Sequence, residues 1–326
     1  MVTTLTKRIG STDLTFESGK LAKQAGGSAV VTLGETMILA ACTSSKPREG
    51  IDFFPLTVDV EERMYAAGKI PGGFFRREGK ASETATLTAR LIDRPLRPTF
   101  ADGFRDEVHV VLLVLSADLA NPYDVPGINA ASLATMLAGL PFDGPVGAVR
   151  VGNINGEWVV NPTYQQLEDA TFDVVVAGRR NDAGTIDVLM IEGEAPDATL
   201  RLVEDGATAP TEEIVTEGLE AAKRAIGESI DAQLEFLSKV QVEKKPFEPK
   251  PLFSEDTLRE VEAFAGDRMR EALVPGKHER EEGLSALKEE LKAHLEQQWG
   301  ESYAERASEV SAAFKQLQKT LMRRRV

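Results

Sequence analysis

The sequence predicts an α+β protein, with a mixed sheet and packed helices in a first region and an all-helical domain after it. Short apolar runs of strand length alternate with helical segments as far as about residue 193. Beyond Phe253 the chain has helical periodicity throughout, and a proline-rich stretch precedes it. We therefore expect a first core over residues 1–243, a linker over 244–252 and a helical domain over 253–326.

Six apolar runs predict the strands of the first region. Most of these runs are continuous, which is typical of a sheet that helices cover. The predicted strands span residues 30–33, 37–42, 55–60, 108–115, 172–177 and 186–191.

Three helical patterns complete the expected architecture. Residues 130–140 are apolar and rich in alanine, which indicates a buried helix. Residues 211–237 place apolar side chains at three- and four-residue spacing, which predicts a long amphipathic helix. Leucines and a tryptophan form one stripe in the last region, and this stripe indicates packing between helices. Its members are Leu284, Leu287, Leu291, Leu295 and Trp299.

The charge of the chain is distributed unevenly. The net charge is −14 over 326 residues, yet residues 1–100 hold 14 Lys and Arg against 11 Asp and Glu, which leaves −17 for the rest. Such a body would repel nucleic acid except near its basic part, although surface acids also simply maintain solubility. Cys42 is the single cysteine, so an intrachain disulfide is excluded. With no signal pattern and no long apolar run, we expect a cytoplasmic protein without a membrane segment.

The segment 68–80 combines glycines, paired aromatic residues and paired arginines. Its glycines and proline disfavour regular structure, so Phe74, Phe75, Arg76 and Arg77 are expected on a loop. Aromatic rings stack on any base and guanidinium groups bind phosphate, so these four residues form a candidate clamp for single-stranded RNA. The alternative is that the rings enter the protein core and the arginines pair with acids such as Glu78.

A helix over residues 82–93 follows this loop, with Ser82 as its cap and Pro95 as its stop. Arg94 and Arg97 lie at its exit, where they are candidates for binding RNA phosphates. Arg90 is expected to pair with acids at helical spacing instead.

Part of the chain resembles the first RNase PH-like core of bacterial polynucleotide phosphorylases. The resemblance begins at Asp52, includes the segment from Tyr65 to Gly79, and reaches the motif Arg94-Pro-Leu-Arg-Pro98. The resemblance continues over residues 141–152 and 167–178 and implies an RNase PH-like fold. It also implies a homotrimeric ring whose aperture is lined by the Phe74 to Arg77 loop and admits single-stranded RNA. The implied reaction is phosphorolysis: inorganic phosphate releases nucleoside diphosphates from the 3′ end of RNA, with Mg²⁺ stabilising charge. Partners in an RNA-degradation complex are also implied.

The residues that the resemblance requires for catalysis are replaced in this chain. Active copies carry two acids six residues apart and a lysine, which hold and assist the metal. Here Leu167 replaces the first acid, Asp173 is retained, and Val175 replaces the lysine. The serines that hold phosphate in active copies are aligned with 127–132, where only Asn129 and Ser132 are polar. We expect a vestigial site at Asn129, Ser132 and Asp173, with no catalytic residue and no bound metal.

Two functions fit these residues. The first is the RNA-guiding front half of a polynucleotide phosphorylase, whose catalysis and Mg²⁺ lie outside this chain. The complete family member is about twice as long, and the end at 321–326 resembles the end of its helical domain. The second is a free-standing, non-catalytic RNA-binding subunit of an exosome-like ring.

Overall fold

A computed structural model describes residues 1–48, 51, 53–70, 72, 80–248 and 251–325. Ten β-strands and eight α-helices lie in these described residues. The chain divides into two compact units, Met1–Phe247 and Glu248–Val326. Within the described residues, none of the helices combines the length and the apolar character that crossing a membrane requires.

The first sheet of unit 1 has six strands in the order β1-β2-β3-β4-β6-β5. The strands are β1 (Thr3–Ile9), β2 (Thr12–Ser18), β3 (Gly27–Leu33), β4 (Thr36–Ser45), β5 (Leu56–Glu62) and β6 (Glu107–Ser116). Only the β5 to β6 pair is parallel among these neighbours. The sheet is therefore mixed, and helix α1 (Glu83–Leu96) lies in the connection between its parallel strands.

The second sheet has four antiparallel strands in the order β10-β9-β7-β8. They are β7 (Val146–Ile154), β8 (Glu157–Val160), β9 (Ala170–Arg180) and β10 (Ile186–Glu194). The remaining helices of unit 1 are α2 (Asp124–Leu137), α3 (Tyr164–Leu167), α4 (Thr199–Glu204) and α5 (Glu212–Ser238).

Helix α2 lies between the two sheets, in contact with β3 and β4 on one side and β7 on the other. Residues 125–135 of this helix are all buried, as expected for a helix that is apolar around its whole circumference. Helix α5 covers β7 and β9 of the second sheet. Both sheets and these helices share one hydrophobic core.

The six predicted strands are all present, but four strands were not predicted. Strands β1 and β2 alternate polar and apolar residues, so a search for continuous apolar runs does not detect them. Strand β7 was missed because it contains glycines and Arg150, and β8 because it is short.

The predicted helix end before Pro95 is wrong. Ser82 caps α1 as predicted, and its Oγ accepts a hydrogen bond from Ala85 N at 2.9 Å. The helix nevertheless continues to Leu96 with Pro95 inside it. A proline so close to a helix end removes one backbone hydrogen bond, and the carbonyl of Pro95 still accepts one from Thr99 Oγ1.

The first residues of the predicted linker belong to unit 1. Lys245 N donates to Gly139 O at 2.8 Å, and the ring of Phe247 lies 5.3 Å from that of Phe104 in an edge-to-face arrangement. These contacts extend the compact unit four residues beyond the predicted boundary at residue 243.

Unit 2 consists of three helices, α6 (Glu255–Ala272), α7 (Lys277–Trp299) and α8 (Ser302–Arg325). The four leucines of the predicted stripe are buried between these helices, and Trp299 packs against them while partly exposed. The prediction of helix packing is confirmed for this stripe.

Strand β3 approaches helix α2 so closely that residue 27 must be glycine. A Cβ atom on Gly27 would lie 2.2 Å from Ala134 O and 2.4 Å from Ala138 N, both of them backbone atoms. We expect Gly27→Ala to lower the free energy of unfolding of unit 1 by about 1–3 kcal/mol. Urea denaturation measures this change.

The matched control is Gly227→Ala, a change within α5 of the same unit. The nearest atom to its new Cβ would be Arg180 Nη2 at 3.8 Å, so this substitution should be neutral or stabilise by about 0.5–1 kcal/mol. Equal effects of the two substitutions would contradict the close approach of β3 and α2.

Candidate functional site

The four clamp residues Phe74 to Arg77 lie outside the described residues. The chain on either side of them is described. Before the clamp, a short 3₁₀ turn at Met64–Ala67 ends at Gly68, whose φ of 65° is in the left-handed region. After the clamp, Lys80 leads into the cap of α1 at Ser82. The predicted role of the clamp therefore stays a prediction.

Arg97 is held by the protein itself. Its Nε donates to Asp93 Oδ2 at 2.9 Å, and its two Nη atoms donate to Phe54 O at 3.0 Å and to Leu56 O at 3.1 Å. A guanidinium with most of its donors occupied in this way joins α1 to the start of β5. This geometry favours a structural role for Arg97 over the predicted role in RNA binding.

Arg94 joins α1 to the outer strand of the second sheet. Its guanidinium pairs with Glu192 and donates to Ile191 O at 3.0 Å, and both side chains of the pair are about half exposed. An exposed pair contributes little stability and exchanges readily with water or other anions. Binding of RNA phosphate by Arg94 stays a prediction.

Asn129 and Ser132 are engaged in hydrogen bonds within the fold, which favours a structural role over the predicted vestigial phosphate site. Helix α2 begins at Asp124, so residues 127–132 lie in its buried interior and not at its N-terminus. Asn129 accepts from Ala148 N at 3.0 Å and donates to Ala148 O at 2.9 Å, and Ser132 Oγ accepts from Val146 N at 2.9 Å. Both side chains are fully buried and bind the backbone of β7.

An ion-pair triad lies at the N-terminus of α2 and includes the retained acid Asp173. The guanidinium of Arg150, on β7, pairs with Asp124 Oδ2 at 2.5 Å and with Oδ2 of Asp173, on β9. Only 3% of the Asp173 side chain is exposed, and Asp124 and Arg150 are 15% exposed. One cation thus bridges two carboxylates and joins the helix to both central strands of the second sheet.

Sequence reasoning missed Asp124 and Arg150. A signal for Arg150 was present, because the one charged residue in the largely apolar strand β7 needs a partner inside the protein. No comparable signal marked Asp124, since a helix N-terminus commonly carries an acid.

Burial raises the pKa of Asp173 to about 6, and Arg150 opposes this shift. Two carboxylates share one guanidinium, and the charge of Glu194 also disfavours ionisation of Asp173. The same two carboxylates raise the pKa of Arg150, although its burial acts in the other direction. A proton on Asp173 would leave the triad neutral.

Three family models match the chain in sequence. The "3' exoribonuclease family, domain 1" matches residues 11–141, and its domain 2 matches residues 144–225. The "Polyribonucleotide nucleotidyltransferase, RNA binding domain" matches residues 256–326.

The chain is also 52% identical, over 322 residues and 97% of its length, to the polyribonucleotide nucleotidyltransferase of Salinispora arenicola. It belongs to the bacterial polyribonucleotide nucleotidyltransferase family. The enzymes of the same name from Acidothermus cellulolyticus and Streptomyces avermitilis are 52% and 50% identical over 95% and 97% of the chain. The chain spans 40% to 43% of the length of these three relatives. The predicted resemblance and fold class are confirmed.

The fold of this chain is similar to that of rice (Oryza sativa) Rrp46 in its crystal structure. The TM-score is 0.51 at 14% identity, over 73% of this chain and 93% of the rice chain. A likeness at this identity shows the RNase PH-like fold alone.

The polynucleotide phosphorylase resemblance implies Mg²⁺, and the residues around Asp173 do not fit a divalent cation. The Arg150 guanidinium already pairs with both carboxylates and would repel a second cation. Leu167 and Val175 provide no metal ligand, and Val175 is part of the hydrophobic core. Among the described residues, His, Cys, Asp and Glu side chains form no group of three that could hold a metal ion.

The pH dependence of stability tests the charge state of Asp173. Because its pKa is raised in the native state, ionisation costs the native state free energy as the pH rises from about 4 to about 6. We expect Asp173→Asn, which resembles the protonated acid, to gain about 2 kcal/mol relative to the wild type between about pH 4.5 and pH 7. Urea denaturation at the two pH values measures the difference.

A constant difference between Asp173→Asn and the wild type at both pH values would contradict the raised pKa. Asp143→Asn is the control, because the carboxylate of Asp143 is largely exposed and its pair with Arg179 lies at the surface. That exposed substitution should change the free energy of unfolding by under about 1 kcal/mol at either pH.

Proposed function

We propose that this chain is the RNA-guiding, non-catalytic part of a phosphate-dependent 3′-to-5′ exoribonuclease, a polyribonucleotide nucleotidyltransferase. The complete enzyme would convert RNA and inorganic phosphate to nucleoside diphosphates. The observation that carries this proposal is the 52% identity to the Salinispora arenicola enzyme across nearly the whole chain. The activity and substrates of the complete protein are part of the proposal, since the chain spans 40% of that relative.

The triad supports the absence of chemistry in this unit. The carboxylate of Asp124 occupies the N-terminus of α2, where an attacking phosphate would otherwise be attracted. Arg150 neutralises Asp173, the one acid retained from the catalytic pattern. We therefore propose that Mg²⁺ and phosphate act outside this chain.

The sequence of the 68–80 segment supports the guidance of RNA. It carries two phenylalanines, two adjacent arginines and a lysine at position 80, in the part of the chain with net positive charge. Stacking on Phe74 and Phe75 does not depend on base identity, which suits an enzyme that degrades any sequence.

The assembly belongs to the same proposal. We propose a cytoplasmic homotrimeric ring that takes part in mRNA degradation, with partners in an RNA-degradation complex. The alternative of a free-standing exosome-like subunit has less support, because residues 256–326 match the RNA-binding domain model of polyribonucleotide nucleotidyltransferases.

Replacing the clamp residues tests RNA guidance. We expect Phe74→Ala with Phe75→Ala to weaken binding of a fluorescent 12-nucleotide oligo(A) at least about tenfold, because each stacked base contributes about 1–3 kcal/mol. Replacing Arg76 and Arg77 by Ala should reduce the slope of log K against log salt by about 1.4, since each neutralised phosphate contributes about 0.7. Fluorescence anisotropy measures both.

The control for the arginine variant is Lys20→Ala with Lys23→Ala, which removes two exposed positive charges from a turn elsewhere in unit 1. An unchanged oligo(A) affinity in both clamp variants would rule out the clamp.

A second experiment tests the absence of catalysis in this chain. Purified chain, poly(A), phosphate and Mg²⁺ should yield no ADP above background, because Leu167 and Val175 replace two residues of the catalytic pattern and Arg150 pairs with the retained Asp173. Chromatography of the products measures ADP. Turnover by a preparation free of host enzyme would refute a non-catalytic unit.

A further inference from the structure

A cleft of about 800 Å³ lies in unit 1, where the end of β5 meets the first turns of α1 and α2. Its volume is within the range of pockets that hold small ligands. Its lining combines aromatic, small apolar and charged side chains and includes none of the three triad residues. The lining residues that matter below are Glu62, Lys69, Lys80, Leu119, Tyr123 and Tyr164.

The carboxylate of Glu62 accepts two hydrogen bonds from side chains that line the cleft. Glu62 Oε1 accepts from the Tyr123 hydroxyl at 2.7 Å, and Glu62 Oε2 accepts from Ser82 Oγ at 2.5 Å. Ser82 also caps α1, so the end of β5 and the starts of both helices are fixed relative to one another. The cleft is therefore preformed, which reduces the free-energy cost of ordering a ligand.

One wall presents flat and apolar surface to solvent. Tyr164 is 48% exposed and Leu119 is 63% exposed, which is unusual for large side chains that line a concave surface. The backbone of Leu119 has a φ of 60°, a conformation that a leucine rarely adopts. The backbone nearby is held by a hydrogen bond from Tyr164 N to Ala120 O at 2.9 Å. A strained and exposed apolar residue beside an exposed tyrosine suits the face of a planar ring.

Two lysines in the lining, Lys69 and Lys80, offer positive charge for an anion at the rim of the cleft. Asp59 is bonded to His109, and Glu61 is paired with Arg63. Lys69 and Lys80, by contrast, have no ion pair with any acid in the described part of the chain. The free lone pairs of Glu62 can accept hydrogen bonds from hydroxyl or N–H groups of a ligand.

We propose that this cleft binds one nucleotide of single-stranded RNA. A nucleotide combines a planar base for the wall of Tyr164 and Leu119, donor groups for Glu62, and a phosphate for Lys69 and Lys80. These two lysines also flank the clamp segment in the sequence. This assignment rests on the proposed function for its RNA, and it adds a base-binding site that the clamp does not provide.

The test uses AMP as the probe, with the whole chain, and reads binding by isothermal titration calorimetry. Tyr164→Ala should weaken AMP binding about tenfold through loss of stacking, and Lys69→Ala with Lys80→Ala should weaken it to a similar extent. Tyr65→Ala is the matched control. Tyr65 is an exposed tyrosine close to the cleft in sequence, but it does not line the cleft. Thermal unfolding checks that each variant is folded.

Displacement of AMP by the 12-nucleotide oligo(A) supports RNA as the natural occupant. AMP that binds but is not displaced would assign the cleft to a free nucleotide and overturn the RNA assignment. No AMP binding, or equal affinity in the wild type, Tyr164→Ala and the double lysine variant, would overturn the site itself. The variant with Arg76 and Arg77 replaced should lose oligo(A) affinity and keep AMP affinity, so a failed clamp and a failed cleft give different results.

Discussion

Unit 1 depends on how the first half of strand β7 satisfies its backbone hydrogen bonds. This half has a neighbouring strand on one side only. Strand β9 pairs with the whole of β7, but β8 begins to pair only at Val151. The backbone groups of Val146, Ala148 and Arg150 on the open side lie inside the protein and must find partners there. Side chains of α2, α5 and the β8 to α3 connection supply them: Ser132, Asn129, Gln233 and Asn161. A buried polar network of this kind fixes the positions of both helices against the strand.

The position of α2 between the two sheets also explains the ion-pair triad. With α2 enclosed between two sheets, its N-terminus is also buried, and Asp124 and Arg150 neutralise one another there. Arg150 then extends this pairing to Asp173 on β9. The carboxylates of Asp124 and Asp173 are thus committed to holding the fold, whereas the cleft lies at the end of β5 and the start of α1.

The sequence was sufficient for the elements that have a strong apolar pattern. Strand β6, helix α5 and the leucine stripe of α7 were all predicted, because continuous apolar runs and helical periodicity follow directly from what each element packs against. The family was also predicted from sequence, since glycine, proline and arginine motifs keep their spacing in the chain. Strands β1 and β2 were missed because an alternating pattern of threonines and charged residues is weak evidence at an edge of a sheet.

Sequence alone shows that Leu167 and Val175 stand where the family resemblance expects an acid and a lysine, and neither side chain can bind a metal. The roles of Asn129, Ser132 and Asp173 were not readable, since each depends on a partner distant in sequence. Asn129 is a polar residue in an apolar helix until Ala148 of β7 is placed beside it, and Asp173 is a potential metal ligand until Arg150 is placed beside it. Sequence determined the family and the presence of the long helices α5 and α7, which depend on residue type and spacing. The tertiary structure alone decided which polar groups are already satisfied, because hydrogen bonds and ion pairs depend on distances between elements that the chain order does not encode.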